Sequence, residues 1–354
     1  MIKGVSMFSC GGIGEYYLKE AGIEIVLANE LLPRRAKFYK HIHPTHKMVV
    51  GDITNPKVKE TYIANIPKEA KFMIATPPCQ GISVAGVNRT VKDKLKDPRN
   101  YLFYHVTDVM KVHDFDYVLF ENVPGFLTLK YPYRDDFYTV PDILYNMFGR
   151  DYVIEAEKLD TKYFGVSQSR MRAIIKVYKK GKIWYWPPVQ DIITLEQAIG
   201  DLPSLESGQD SGIKYHNIRT FEPQQILCMK HTATGCSAHR NPVYYPKDPN
   251  GVRIKGFEAN YSRMKWDRPS YTITTKNNGM GSPNSCHPGR KLPDGTYSDA
   301  RTLSLLELLR VTSLPDDIDI PHDTSYAFMC QLIGESVPPR FVYNIVKGIG
   351  ELND

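Results

Sequence analysis

Pro77-Pro78-Cys79-Gln80 sets a thiol directly after two prolines and a short apolar run, Phe72-Met73-Ile74-Ala75. The run reads as a buried strand, and the prolines stop it because they fix φ and carry no N–H for a ladder. Cys79 is thereby delivered to the carboxyl end of a strand, where open α/β sheets bind their ligands. A thiolate held there can act as a nucleophile; a lone cysteine without chemistry is a small buried hydrophobe. A second apolar run, Tyr117-Val118-Leu119-Phe120, ends in Glu121-Asn122-Val123-Pro124. Desolvation at the end of a buried strand can raise a carboxyl pKa, as a proton donor needs, whereas a turn carboxylate would sit in water. Gln168, Arg170 and Arg172 alternate ahead of Ile174-Ile175. An extended segment would turn both guanidiniums to one side, suited to an anion or a carbonyl, or else to a solvated edge.

A cofactor site is suggested by the segment Phe8-Ser9-Cys10-Gly11-Gly12-Ile13-Gly14, expected to follow the first strand and open a helix. Small residues there let backbone N–H groups approach a ligand, and a helix N-terminus favours a carboxylate or phosphate. The spacing is not G-x-G-x-x-G, which argues against a nicotinamide dinucleotide and an oxidoreductase. Glu30 ends the second expected strand, the usual place for a carboxylate on ribose hydroxyls. Asp52, in Gly51-Asp52-Ile53, ends the third and could accept from an adenine amino group. Either carboxylate alone is more often a cap or a turn residue. Glycine loop and carboxylates at successive strand ends favour an adenosine-containing cofactor.

These groups need a scaffold. Strand-like runs at Val5–Ser9, Glu24–Asn29, Lys47–Val50, Phe72–Ala75, Tyr117–Glu121 and Ala173–Val177 alternate with periodic segments such as Gly14–Ala21 and Phe103–His113. Such alternation argues for a mainly parallel sheet wrapped by helices. From about Trp184 the texture becomes rich in Pro, Gly, Asn and Ser until about Ser298, then helical periodicity returns over Leu303–Val311 and Pro339–Leu352. We therefore expect domains at 1–186, 187–298 and 299–354, the last returning to the first.

The 354 residues suffice for a large domain and a smaller one, and a net charge of +6 permits a polyanionic partner without demanding one. No apolar stretch of about 18 residues appears, and the N-terminus has no secretion-signal pattern. Six cysteines form no paired framework. The expectation is a cytoplasmic, nucleoid-associated bacterial protein. Cys228-x-x-His231 and Cys236-x-x-His239 invite a zinc reading, but the ligand order is unusual and a core or loop role is expected, with no metal.

Taken in order, these motifs resemble those of the cytosine-C5 DNA methyltransferases of bacterial and phage restriction–modification type, nearly end to end. Pro-Pro-Cys-Gln resembles the nucleophile loop, Glu121-Asn122-Val123 the acid motif and Gln168-x-Arg170-x-Arg172 the arginine motif. Asp97-Pro98-Arg99-Asn100-Tyr101-Leu102 is similar to the segment closing the mobile catalytic loop. Arg301-Thr302-Leu303-Ser304 with Glu307 and Arg310 resembles the motif bracing the recognition lobe, and Gly334-Glu335-Ser336-Val337-Pro338-Pro339 the last motif. Two departures stand out. Cys10 and Ile13 occupy the first and third glycine positions of the first motif, and Glu335 stands where the family carries Asn.

The resemblance implies a Rossmann-like, S-adenosylmethionine-dependent α/β sheet with a smaller, loop-rich target-recognition domain. It implies Cys79 as nucleophile on C6 of a flipped-out cytosine, Glu121 at N3, and Arg172 with Arg170 at O2. It places Phe8, Ser9, Gly12, Ile13, Gly14, Glu30, Leu31, Asp52, Ile53, Pro78, Glu335 and Ser336 at the cofactor. Gln80, Ser83, Arg89, Arg99, Gln168 and Thr274 fall to the DNA, with Gly81–Asp97, including Lys92, Lys94 and Lys96, as a lid. Basic residues of the lobe, Lys214, His216, Arg219, Lys230, Arg240, Arg253, Lys255, Arg263 and Lys265, are further candidate contacts. The partner is double-stranded DNA, the enzyme a monomer, with a cognate restriction endonuclease acting separately. One family branch methylates tRNA and carries a Cys-Phe-Thr element, which this chain lacks. A non-catalytic DNA-binding relative is the other alternative, supported by the irregular glycine motif and Glu335.

Overall fold

The computed structural model describes residues 1–78, 93, 95–248 and 250–350. By packing, the chain divides into one unit of 1–161, 171–188 and 341–354, and a second of 162–170 and 189–340. Composition and packing group the chain differently at 162–170 and 299–340, both of which pack within the second unit.

The first unit is built on a seven-stranded sheet. Its strands are β1 (Ile2–Met7), β2 (Ile23–Glu30), β3 (Lys47–Val50), β4 (Ala70–Ala75), β5 (Tyr117–Asn122), β8 (Tyr152–Asp160) and β9 (Met171–Lys179), in the order β3-β2-β1-β4-β5-β9-β8. β6 (Lys130–Tyr133) and β7 (Asp136–Thr139) form a separate hairpin. The first five sheet strands are parallel and β9 alone runs against its neighbours. Every residue of β5 is buried, as a strand covered on both faces requires, and this explains its unbroken apolar run. Helices α1 (Pro33–Ile42), α2 (Pro56–Ala64), α3 (Phe103–Val112) and α4 (Val140–Phe148) connect the strands. α1, α2 and α4 carry Pro in the first turn, where its missing N–H costs nothing, and Thr139 with Asp142 makes a capping box for α4. Val5, Met7, Met73, Phe103, Val118, Phe120, Ile143 and Ile175 belong to one buried cluster.

Several expectations are corrected here. Gly14–Ala21 is no helix: a 3₁₀ turn at Ile13–Glu15 gives way to successive turns closed by i→i+3 bonds, so the glycine loop has no helix N-terminus behind it. The first strand stops at Met7, because Phe8 takes a left-handed φ of 61°. β8 and the β6–β7 hairpin were not anticipated, since β8 alternates only weakly.

The second unit has few regular elements: α5 (Leu195–Ile199), α6 (Pro223–Lys230), α7 (Leu305–Val311) and α8 (Tyr326–Glu335), with isolated bridges such as Gln168 to Ser270 and Arg263 to Cys286. α9 (Pro339–Lys347) ends before Gly348 rather than at Leu352. Within the first unit Ile349–Gly350, β11, then pairs with Ile183–Trp184, β10. Among the described residues no helix is long and apolar enough to cross a membrane.

Candidate active site

Register brings the chemistry to one edge of the sheet. Met7 pairs with both Asn29 and Ala75, and Ala75 with Phe120, so β1, β2, β4 and β5 end side by side. Backbone and side chains then tie the ends together. Ser9 N donates to Asn29 O at 3.0 Å, Thr76 Oγ1 to Phe8 O at 3.0 Å, and Asn122 Nδ2 to Pro77 O at 3.0 Å. Asn122 thus holds the Pro77-Pro78 turn against the end of β5.

Glu30 is 4 % exposed, and each carboxylate oxygen accepts one backbone N–H at 2.9 Å, Oε2 from Cys10 and Oε1 from Leu32. A carboxylate fixed in this way at a strand end suits a pair of ribose hydroxyls. Asn29 Nδ2 reaches Val49 O and Gly51 O, drawing the end of β3 alongside. Asp52 is exposed there, with Oδ1 accepting from Thr54 N at 2.9 Å, while Ile53 is buried and Leu31 exposed. Ser9, Gly12 and Ile13 are buried; Phe8, Gly14 and Pro78 are half-buried.

Glu121 and Arg172 meet. Arg172 Nε lies 2.8 Å from Glu121 Oε1, with the two residues 9 % and 8 % exposed. Antiparallel register explains the contact: Glu121 faces Ile174, so Arg172 is its diagonal neighbour on the same face. Arg172 Nη1 also donates to Met171 O at 2.8 Å. Glu121 is therefore half of a buried ion pair, not the lone carboxyl expected from burial alone.

Arg170 lies outside β9 and belongs to the second unit. Its Nη1 donates to Ile273 O at 2.9 Å and its Nη2 to Gly334 O at 2.7 Å. The expected alternation of the two arginines along one extended segment begins only at Met171, so they serve different surroundings. Gln168 is buried beside Ser270, its Oε1 accepting from Ile273 N, and Thr274 is half-buried. A Cβ on Gly334 would stand 2.4 Å from Thr275 N, so only glycine permits this backbone approach. Glu335 and Ser336 end α8 in the same unit. Arg99 is gripped by Asp97, Nε on Oδ1 at 2.9 Å and Nη2 on Oδ2 at 2.6 Å. Cys79, Gln80, Ser83 and Arg89, with Lys92 and Lys94 of the expected lid, lie outside the described residues. His216 and Arg263 are buried, so neither offers the surface contact expected of it. Among the described residues no cluster of His, Cys, Asp or Glu is arranged to hold a metal.

Residues 2–351 match the family model for C-5 cytosine-specific DNA methylases. The chain belongs to this family. As a methylase it is 48 % identical to the Type II methyltransferase M1.HgaI of Avibacterium volantium, covering 98 % of each chain. It is 26 % identical to the Type II methyltransferase M1.HphI of Haemophilus parahaemolyticus, over 99 % of this chain and 87 % of that one. Its fold is shared with the solved structure of a Spodoptera frugiperda DNMT2 variant, at a TM-score of 0.63 and 17 % identity, covering 98 % and 99 % of the two chains.

The methylase's first motif departs from the family pattern in a way the structure makes concrete. Cys10 stands at φ 50°, a left-handed conformation that glycine would take without strain. Just behind the loop, Glu15 is buried against Ser6 and Tyr39. Burial pushes its carboxyl up to about 7, although hydrogen bonds from Ser6, Tyr39 and Ser9 favour the ionised form. A raised value means that stability is full below the ordinary carboxyl pKa and is lost as pH rises toward 7. Glu15→Gln should therefore gain on the wild type by roughly 1–3 kcal/mol between pH 5 and pH 8. Urea denaturation of both proteins at the two pH values checks this; a gap that does not change with pH contradicts it.

Proposed function

We propose that this methylase transfers a methyl group from S-adenosylmethionine to C5 of a cytosine flipped out of duplex DNA, through a covalent bond from Cys79 to C6. The observation that carries the reading is the buried Glu121–Arg172 pair at the end of β5, beside the Pro77-Pro78 turn that Asn122 holds. Cytosine C5 is a poor nucleophile and needs activation. Addition of the Cys79 sulfur to C6 converts C5 into an enamine-like carbon, with Glu121 holding a proton or hydrogen bond at N3. Arg172, paired with Glu121, is assigned in this reading to the O2 of the same base. Loss of the C5 proton after transfer expels the sulfur and restores the aromatic ring.

The cofactor residues fit their group. Glu30 offers a fixed buried carboxylate for ribose hydroxyls, Asp52 an exposed one for an adenine amino group, and Phe8–Gly14, after β1 on the other side of Glu30, a glycine-rich loop. S-adenosylmethionine, when bound, supplies an electrophilic methyl group. The target must leave the stack first, at a cost of a few kcal/mol.

Likeness along nearly the whole chain to Type II methyltransferases supports a protective role beside a separate restriction endonuclease; that the enzyme acts as a monomer is part of the same proposal. Labelled S-adenosylmethionine supplied with duplex DNA or with tRNA tests the reading. We expect 5-methylcytosine in the DNA, at positions that bisulfite sequencing places in one sequence context. Label appearing in tRNA alone would overturn it.

A further inference from the structure

The loop after β1 is gripped from behind by side chains that the reaction leaves unused. Gly12 sits at φ 76°, and a Cβ built there would stand 2.6 Å from the His43 ring and 2.7 Å from the Tyr39 ring. α1 therefore packs on bare backbone, closer than a side chain would allow. His43 Nε2 lies 2.9 Å from the Gly12 carbonyl oxygen, which can only accept, so the ring donates from Nε2. Tyr39 Oη donates to Glu15 Oε2 at 2.5 Å and lies 2.9 Å from His46 Nδ1. Ser6 Oγ donates to the other Glu15 oxygen and sits 2.7 Å from Ser9 Oγ. The His43 and His46 rings stack with centroids 4.7 Å apart and planes 8° from parallel. Tyr39, His43 and Glu15 are all buried.

We infer that Tyr39 and His43 are positioning residues for the cofactor loop, fixing the Gly12 carbonyl and the Glu15 carboxylate so that the backbone of Phe8–Gly14 keeps its ligand-binding shape. The inference rests on the S-adenosylmethionine reading above. Two residues of the loop, Phe8 and Cys10, hold left-handed φ angles of 61° and 50°. Residues with side chains rarely adopt that conformation, and it persists only where the surroundings over-determine it. A loop with Cys10 and Ile13 at glycine positions thus depends on an outside brace. Helix α1 and the turn after it supply one through the His43 ring donor on Gly12 and the Tyr39 phenol on the Glu15 carboxyl.

Isothermal titration of the full chain with S-adenosylhomocysteine, well below each variant's Tm, tests this. Tyr39→Phe and His43→Ala should each weaken binding about 3- to 10-fold, the span of one lost hydrogen bond. His43→Gln, which keeps an N–H donor on a side chain of similar reach, should recover most of the loss. Wild-type affinity in Tyr39→Phe and His43→Ala overturns the inference, even if their Tm falls, because the side chains would then be structural only. His43→Gln binding as weakly as His43→Ala overturns it too, since the donor would not matter. Tyr39→Phe removes a single oxygen and keeps the test open should His43→Ala fail to fold. A wild-type chain without affinity for S-adenosylhomocysteine would sink the cofactor reading, and the brace with it.

Discussion

Cys79→Ser is expected to abolish methyl transfer to duplex DNA, lowering kcat/KM by at least about 10³-fold. A hydroxyl is a far weaker acid than a thiol, which at an ordinary pKa of about 8.5 is already a few per cent ionised near neutrality. Full ionisation of the thiol would gain only roughly 2 kcal/mol, so most of the acceleration must come from position and electrostatics. The serine variant keeps the position and loses the nucleophile, which makes the substitution diagnostic. DNA carrying 5-fluorocytosine gives an independent readout, because fluorine replaces the proton that must leave before the sulfur can be expelled. Wild-type enzyme with S-adenosylmethionine should form a denaturant-stable adduct on that DNA, and Cys79→Ser should form none. A serine variant that methylates at the wild-type rate would end the covalent mechanism.

The parts of this site carried by single strands were visible in the sequence, and the parts carried by contacts between distant segments were not. Pro77-Pro78 after an apolar run marks a strand end whatever surrounds it, and the same holds for Glu121 after Tyr117–Phe120. That Glu121 would be paired with Arg172 depends on β9 running antiparallel to β5, and 51 positions of sequence separate the two partners. Asn122 sat in plain view beside Glu121, yet its bond to Pro77 O links residues 45 apart. Arg170 and Arg172 share a motif and a spacing of two, but a strand that starts at Met171 sends them to different partners. Periodicity misled at Gly14–Ala21 because apolar spacing suits a turn packed on a sheet as readily as a helix. In the second unit the basic residues that looked like surface contacts include Arg263, whose guanidinium donates to Met229 O, His287 O and Asp299 O in the interior. Charge in a sequence does not say which side chains are buried.

Arg301→Met should destabilise the second unit by about 3–5 kcal/mol, the penalty for stranding buried charge. Arg301 is fully buried between two carboxylates: Nη2 lies 2.7 Å from Asp299 Oδ1, and Nη1 lies 2.7 Å from Glu307 Oε2. Its Nε also donates to Leu205 O at 2.8 Å. Glu307 has a second duty in the capping box of α7, where Oε2 accepts from Ser304 N at 2.6 Å. Methionine fills the space but removes the guanidinium from Asp299 and Glu307, which then face imidazoles: His287 lies 3.8 Å from Asp299 and 3.5 Å from Glu307, and His216 3.6 Å from Glu307. Lysine should fare little better, because one ammonium cannot reproduce the fork. Arg310 supplies the contrast. It pairs with Asp201 and Asp316 at 2.7 Å, but both carboxylates are well exposed, so Arg310→Met should cost no more than about 1 kcal/mol. Acid should erase the Arg301 deficit in a defined direction. Burial pushes Glu307 and Asp299 up, but Arg301 and His287 outweigh it, holding Asp299 at about 2 and Glu307 well below its usual range. Carboxylates held low contribute stability that is present above their ordinary pKa and lost as pH falls through the folded value. Burial, then Arg301, lowers His287 to about 4, so its protonation also favours the unfolded chain as pH drops from about 6.5. All three groups weaken the wild type on acidification. Without Arg301, Asp299 and Glu307 take up protons at higher pH, so the gap between variant and wild type should be widest at neutral pH and narrow below about pH 4. Urea denaturation across that range decides the matter, and a deficit under 1 kcal/mol, or one that ignores pH, would mean that the cluster is not held by this guanidinium.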